Sequence, residues 1–425
     1  MWEGFSAGSV LHTCLAFSPS GEPYVGFSDG SCSHKTSVMK FDGTNWVYIG
    51  TAGFSAGFAL YTSLAFSPSG EPYLAFEDSG NSGNATVMKF DGTNWVYVGN
   101  GGFSLGQVQW TNIAFCPTDG LPYVAFEDFG DSAKAVVMKF DGTNWVTIGN
   151  GGFSGDTAQC TSLGFSPSGQ PYVAYVDGLA GRATVKKFNG TNWVNVGNAD
   201  FSAGWVDYTS LAFDSNNQPN VAYSDIGNSG KVTVMEFNGT NWVNVGTAGF
   251  SAGIADWTSL ILNPNNGQLY VAYTDYGNSG KATVMRFDGT NWVNVGVAGF
   301  STGEADFTSI AFNLNGNPHV CFMDEANSQK ATLMKFDSVH VGIKESLTPK
   351  FSIYPNPAVN NITIEISRVT EESNFTIQNI EGQQLITRQI TEPKTQLDIS
   401  TLPSGVYFVR LTNDKTVEVG KFIKQ

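Results

Sequence analysis

Six near-identical copies of Phe-Asp/Asn-Gly-Thr-Asn-Trp-Val recur along this 425-residue chain, with tryptophans at Trp46, Trp95, Trp145, Trp193, Trp242 and Trp292. The steps between them are 49, 50, 48, 49 and 50 residues. A Phe-Ser marker keeps the same period seven times, at Phe5, Phe54, Phe103, Phe153, Phe201, Phe250 and Phe300. So regular a period leaves few folds open, because each unit has to bury its apolar face against a neighbour of its own kind.

Within one period the pattern is that of short strands. From Thr62 the runs Thr62–Phe66, Pro72–Phe76, Ala85–Phe90 and Asn94–Val98 are rich in β-branched and aromatic residues, and the clusters SPSG, DSGNSGN and DGT divide them. No 3.6-residue period fits. The expected fold is therefore all-β: a seven-bladed β-propeller of four-stranded antiparallel blades over residues 1–342. Asp-Gly in the recurring heptapeptide suits a hairpin with positive backbone angles. The Trp after it opens the outer strand and is expected to fill the gap between neighbouring blades. The seventh unit, KFDSVHVG from Lys335 to Gly342, lacks that Trp. Ser338–Gly342 is expected to form a stunted outer strand capped by Trp2.

Charge separates the chain into two parts. Residues 1–342 hold 28 acids and 13 bases, whereas 343–425 hold nine of each, so the whole net charge of −15 lies in the repeat region. Such a balance argues against a nucleic-acid or anionic-membrane partner, whose phosphates require Lys and Arg. No apolar run is long enough to span a bilayer as a helix. The opening MWEGFSAGSV has neither a basic nor an apolar leader region, which is expected either of a cytoplasmic protein or of one whose export signal has been removed. The five cysteines stand at unrelated repeat positions and form no framework; Cys14 with Cys32 is the one local pairing to test.

Two series of residues are candidates for binding. The loop after the second strand opens with Asp in every unit: Asp29, Asp78, Asp128, Asp177, Asp225, Asp275 and Asp324. Seven carboxylates near one rim would be able to hold calcium; the competing reading is that each caps its own turn. A large side chain precedes the inner strand in most units, at Tyr61, Trp110, Tyr208, Trp257 and Phe307, with His12 and Cys160 in the same place elsewhere. These form a possible ligand rim, as in lectin-like propellers, or else pack between blades. Catalytic patterns are weak: the four His fall at unrelated positions, the repeat region has only Arg182 and Arg286, and no nucleophile, zinc or phosphate motif occurs. A carboxylate pair on the rim remains open, with Asp156, Glu304 and Glu325 as its candidates.

After a polar linker over 343–350 the period stops and alternating runs such as ITIEI and VYFVRL read as strands of a small Ig-like β-sandwich over 351–425. Four motifs follow in order: Tyr354-Pro355-Asn356-Pro357, then Gly382 with Leu385, then Leu402-Pro403-Ser404-Gly405-Val406-Tyr407, and finally Lys421 to Lys424. Together they resemble the type A C-terminal sorting domain of the type IX secretion system. That resemblance implies a folded cargo taken through the periplasm and across the outer membrane of a Gram-negative bacterium, with the translocon and sorting machinery as partners. The repeat domain would be the cargo, secreted or held at the cell surface. The leading expectation is a non-catalytic propeller that binds glycan or protein, its near-identical blades suited to multivalent contacts. The alternatives are a carbohydrate-active enzyme with one asymmetric rim site and a structural surface protein.

Overall fold

The computed structural model describes residues 2–336, 351–366, 374–380, 382–412 and 417–425, and it divides at Asp337/Ser338 into two compact units. The linker expected over 343–350 and the outer strand expected over Ser338–Gly342 lie outside the described residues.

Among the described residues the first unit is a succession of seven antiparallel sheets, six of four strands and the last of three, each in simple sequence order, consistent with a propeller. Strands in the second sheet run Ala59–Phe66, Pro72–Asp78, Asn84–Phe90 and Trp95–Tyr97. The second strand is buried along its whole length, and the apolar residues of adjoining sheets interleave into shared cores. The third-to-fourth hairpin forms as its sequence requires. Gly92 has φ +100°, and the Asp91 carboxylate accepts the N–H groups of Thr93 and Asn94 at 2.8 Å. Those two bonds hold the Asp91 carboxyl below its usual range.

The recurring Trp joins sheet to sheet. Trp95, Trp145, Trp193, Trp242 and Trp292 are each buried, and each Nε1 donates at 2.7–2.9 Å to a carbonyl at the end of the preceding sheet's outer strand, from Ile49 to Val245. Each ring also stacks on the Phe of a Phe-Ser marker, with centroids 4.1–4.5 Å apart. Trp46 stacks likewise on Phe5 at 4.0 Å, but its Nε1 is buried without an acceptor among the described residues. Here the adjoining sheet is the seventh. Trp2 exchanges both backbone hydrogen bonds with Leu333, and the Phe5 N–H donates to Ala331, so the first residues supply an outer edge to the seventh sheet. Trp2 is thus paired backbone rather than only a cap.

All five cysteines are free, which corrects the Cys14–Cys32 pairing. Cys14 lies in the first strand against Gly26 and Thr62, while Cys32 lies in the turn beside Gly53.

The second unit contains a three-stranded sheet (Phe351–Tyr354, Asn361–Ile366, Lys394–Asp398) and a four-stranded one (Gln384–Gln389, Asn374–Gln378, Gly405–Thr412, Val417–Lys424). Their inward residues, among them Phe351, Ile362, Ile364, Phe375, Val409 and Phe422, form one core.

Candidate functional site

In each first strand the register with the second slips, as between Leu60 and Ser63. The slip leaves His12, Tyr61, Trp110, Cys160, Tyr208, Trp257 and Phe307 in the left-handed region, with φ from 50° to 55°. None is glycine, so each conformation costs about 1–2 kcal/mol. Strain repeated at one level of every unit points to a purpose there.

The residue after each bulge explains how the conformation is held. Thr13, Thr62, Thr111, Thr161, Thr209, Thr258 and Thr308 each donate Oγ1 to the carbonyl of the bulged residue in the preceding unit, and Thr13 closes the circuit on Phe307 at 2.7 Å. One residue further on, Ser63, Ser162, Ser210, Ser259 and Ser309 accept a backbone N–H from the following unit, with Asn112 taking the same role. Two polar belts therefore surround the axis. Above them the bulged side chains converge: His12 lies 4.7 Å from Tyr61 and 4.6 Å from Phe307, Tyr61 5.0 Å from Trp110, and Trp257 4.7 Å from Tyr208 and 4.3 Å from Phe307. With the Thr belt they line a cavity of about 180 Å³. The aromatic series of the sequence thus forms one axial crown, not seven separate contacts.

Around the crown the repeat breaks down. In every unit the loop between sheets is bonded to the turn after the second strand through one backbone pair: Ser9/Gly30, Phe58/Ser79, Gln107/Phe129, Thr157/Gly178, Trp205/Ile226, Ile254/Tyr276 and Glu304/Glu325. Trp205, Ile226, Ile254 and Tyr276 are exposed large apolar residues on adjacent units, and the neighbouring pair is doubly acidic. The opposite rim carries the Asp/Asn-Gly hairpins, repeated almost unchanged, and first-to-second-strand turns in which Leu314 is the exposed large apolar residue.

Carboxyl groups cluster by the crown. Burial raises the Asp306 carboxyl to about 6, with Glu304, Glu325 and Asp256 adding repulsion. Asp207 and Asp256 are shifted up by the same burial, and Glu127 reaches about 7. Burial also keeps His12 uncharged by lowering it to about 4. A carboxyl group raised in the folded state binds more protons there than in the unfolded chain. Its contribution is complete below about pH 4.3, the unfolded value, and is lost as the pH rises through the folded one. Replacing Glu127 by Gln should accordingly shift the melting temperature, relative to wild type, upward between pH 5 and pH 8. A mutant-to-wild-type difference that is constant with pH would refute a protonated Glu127.

The seven Asp residues lie elsewhere. Asp29, Asp78, Asp128, Asp225, Asp275 and Asp324 are buried within their own turns. Asp78, for example, accepts from Gly80 N, Gly57 N and Asn81 Nδ2 at 2.8–3.0 Å, pinning the loop between sheets to the turn. Asp177 is the most open and accepts from Ala180 N at 3.3 Å. Among the described residues no three His, Cys, Asp or Glu converge as a metal site, and Asp29, Asp78, Asp128, Asp275 and Asp324 each accept the backbone N–H two residues on, as turn caps do. Of the carboxylate candidates, Asp156 accepts from the next N–H, while Glu304 and Glu325 border the crown.

In the second unit three of the four motifs meet. Asn356 Nδ2 donates to the Lys421 carbonyl at 3.0 Å and its Oδ1 accepts from Ile423 N at 2.9 Å. Gly405 pairs with Lys424, Tyr407 stacks on Phe422 at 5.5 Å, and the Tyr407 hydroxyl donates to the Pro403 carbonyl at 2.8 Å. The Leu402 N–H is bonded to Ile399, and Tyr354 to Glu365. The cis bonds at Pro355 and Pro357 lie in the same segment. Gly382, at φ +80°, turns the hairpin that carries Leu385 apart from this cluster. Gly420 is where the Phe351 ring lies: a Cβ there would be 2.8 Å from it.

Residues 352–425 match the secretion system C-terminal sorting domain family. The sorting domain implies export by type IX secretion, contact with the secretion and sorting machinery, and arrival at the cell surface or extracellular space. Among the described residues no helix is long and apolar enough to cross a membrane. No curated protein matches the sequence. Among solved structures, a PL25 ulvan lyase superposes with TM-score 0.52 at 12% identity, covering 79% of this chain and 95% of its own. PorZ, a surface component of the type IX system of Porphyromonas gingivalis, gives 0.49 at 14% identity and covers 97% of this chain, which spans only 59% of PorZ. The SapL1 lectin, solved with a methyl fucoside, gives 0.45 at 14% identity over 70% of this chain and 98% of its own. At these identities the likeness concerns the fold alone.

Proposed function

We propose that the first unit is a closed seven-bladed β-propeller, that the sorting domain is an Ig-like sandwich, and that the exported propeller is a non-catalytic binder of a carbohydrate. One observation carries the reading: an aromatic crown whose members differ from unit to unit stands at the centre of a rim whose exposed loop residues differ as well. A concave, mainly apolar surface with a few polar groups is the usual form of a ligand site. Aromatic faces at Trp257 and Trp110 suit the apolar faces of sugar rings, and the nearby carboxyl groups suit their hydroxyls.

A glycan array with wild type and Trp257→Ala tests this. The expected result is a defined set of bound glycans whose affinity falls about tenfold in the variant, the loss of about 1.4 kcal/mol of contact, with the fold retained. A blank array, or binding indifferent to Trp257, would remove the reading. The Asp306 carboxyl favours an enzyme as the second reading, since a group held near 6 beside Glu304 suits a general acid. Asp306→Asn separates the two: a binder keeps its ligand, whereas a glycosidase keeps binding and stops releasing product.

A further inference from the structure

The residue just ahead of each crown position carries a second asymmetry. In the first four units it is Leu11, Leu60, Gln109 and Gln159; in the last three it is Asp207, Asp256 and Asp306. All seven stand at the same place in the first strand, beside the slip in register. The strand accepts a neutral side chain there in four units, so packing does not call for the carboxyls of the other three.

Two of them, Asp207 and Asp256, are half-buried and flank Tyr208. Burial, and then charges that include those of Asp256 and Asp207, push the Tyr208 hydroxyl above its usual range. The Tyr208 ring lies 4.7 Å from that of Trp257, and both rings line the crown cavity. Burial and the charge of Asp207 raise Asp256 although the Tyr276 hydroxyl is bonded to it, and no Lys or Arg acts on either acid. Among the described residues the ion pairs of the first unit, Lys40–Glu22, Lys89–Glu71 and Lys139–Asp119, lie at the opposite rim. Lys231 and Lys281 stand instead against Gly249 and Gly299 in the loops between sheets. Carboxyls withdrawn from water are ordinarily paired, and these two lack a cation. They do not form part of a metal-binding group of three among the described residues, which leaves an organic cation as the partner that suits them.

We propose that the carbohydrate taken by the crown carries a free, protonated amine, held by Asp207 and Asp256 beside the Tyr208 and Trp257 rings. This rests on the carbohydrate reading and narrows it to an amino sugar. An ammonium group makes charge-assisted hydrogen bonds to carboxylates and is also drawn to aromatic faces, a combination that neither a hydroxyl nor an acetamide offers. Its charge also offsets the repulsion between the two acids.

The test titrates the full chain, in slightly acidic buffer, with linear hexamers of glucosamine, N-acetylglucosamine and glucose, which differ in the group at C2. One glucosamine hexamer should bind per chain, at least tenfold more tightly than either neutral hexamer, a comparison that needs no variant. Asp207→Asn combined with Asp256→Asn should bring it down to the neutral level without lowering the melting temperature, because the two acids repel one another. Equal binding of the three, preference for a neutral one, an amine preference that survives both substitutions, or failure of the glucosamine hexamer in a chain that binds other glycans would each overturn the inference and leave the carbohydrate reading standing. A chain that binds no glycan at all would lose both.

Discussion

Trp145→Ala should destabilise the repeat domain by roughly 3–5 kcal/mol, the range for emptying a large buried aromatic site. The ring stacks on Phe103 at 4.5 Å, touches Phe140, and donates Nε1 to the Val98 carbonyl at 2.7 Å. Removing it therefore opens a cavity between two sheets and leaves a carbonyl without its donor. Trp46→Ala provides the internal control. That ring is only partly buried and its Nε1 makes no bond among the described residues, so its loss should cost distinctly less. Denaturant unfolding of both variants measures the difference. Equal costs would show that stacking alone supports the joint, and unchanged stability at Trp145 would overturn the anchor.

The same residues show how much of the molecule is legible in its sequence. The turn chemistry of Asp-Gly-Thr-Asn and the fixed distance from Trp to the next Phe-Ser marker are local, and they appear in the structure within a residue or two of the runs read from the text: Asn84–Phe90 for Ala85–Phe90, and Trp95–Tyr97 for Asn94–Val98. The aromatic crown was only half legible. Its members are visible as a variable position, but the bulge that turns them to the axis depends on pairing with the second strand. The unvarying Thr after each of them was the missed signal, because a hydroxyl kept in all seven units beside the most variable residue is more than strand propensity demands. The Asp series is ambiguous for the opposite reason. A carboxylate repeated in every turn looks like a rim when only the period is known, whereas in space most are enclosed by backbone N–H groups of the neighbouring turn and loop, and Asp225 by the side chains of Asn228 and Thr233. The pairing of Trp205 with Ile226, or Glu304 with Glu325, joins residues 21 positions apart across two loops, and no local pattern announces it.

Removing residues 351–425 should leave a folded repeat domain that is stranded in the periplasm of a host with type IX secretion. Among the described residues each unit has a core of its own: the apolar clusters of the first reach Met334, and Phe351 through Phe422 form that of the second. The bonds that join the first residues to the seventh sheet come from Trp2, Gly4, Phe5, Ser6, Val10, Thr13 and Leu15, so the truncated chain keeps all of them. The sorting domain in turn draws its terminal residues into its fold, with Asn356 bonded to both Lys421 and Ile423. Deleting only Lys421–Gln425 should therefore unmake the meeting point of three motifs and abolish export as completely as removing the whole domain. Conversely, residues 350–425 fused to an unrelated periplasmic protein should carry it outside. Fractionation of cells and medium, with a resident cargo of the system as control, decides the matter. Appearance of the truncated chain in the medium, or retention of the fusion while the control is exported, would show that export information lies in the repeat domain instead.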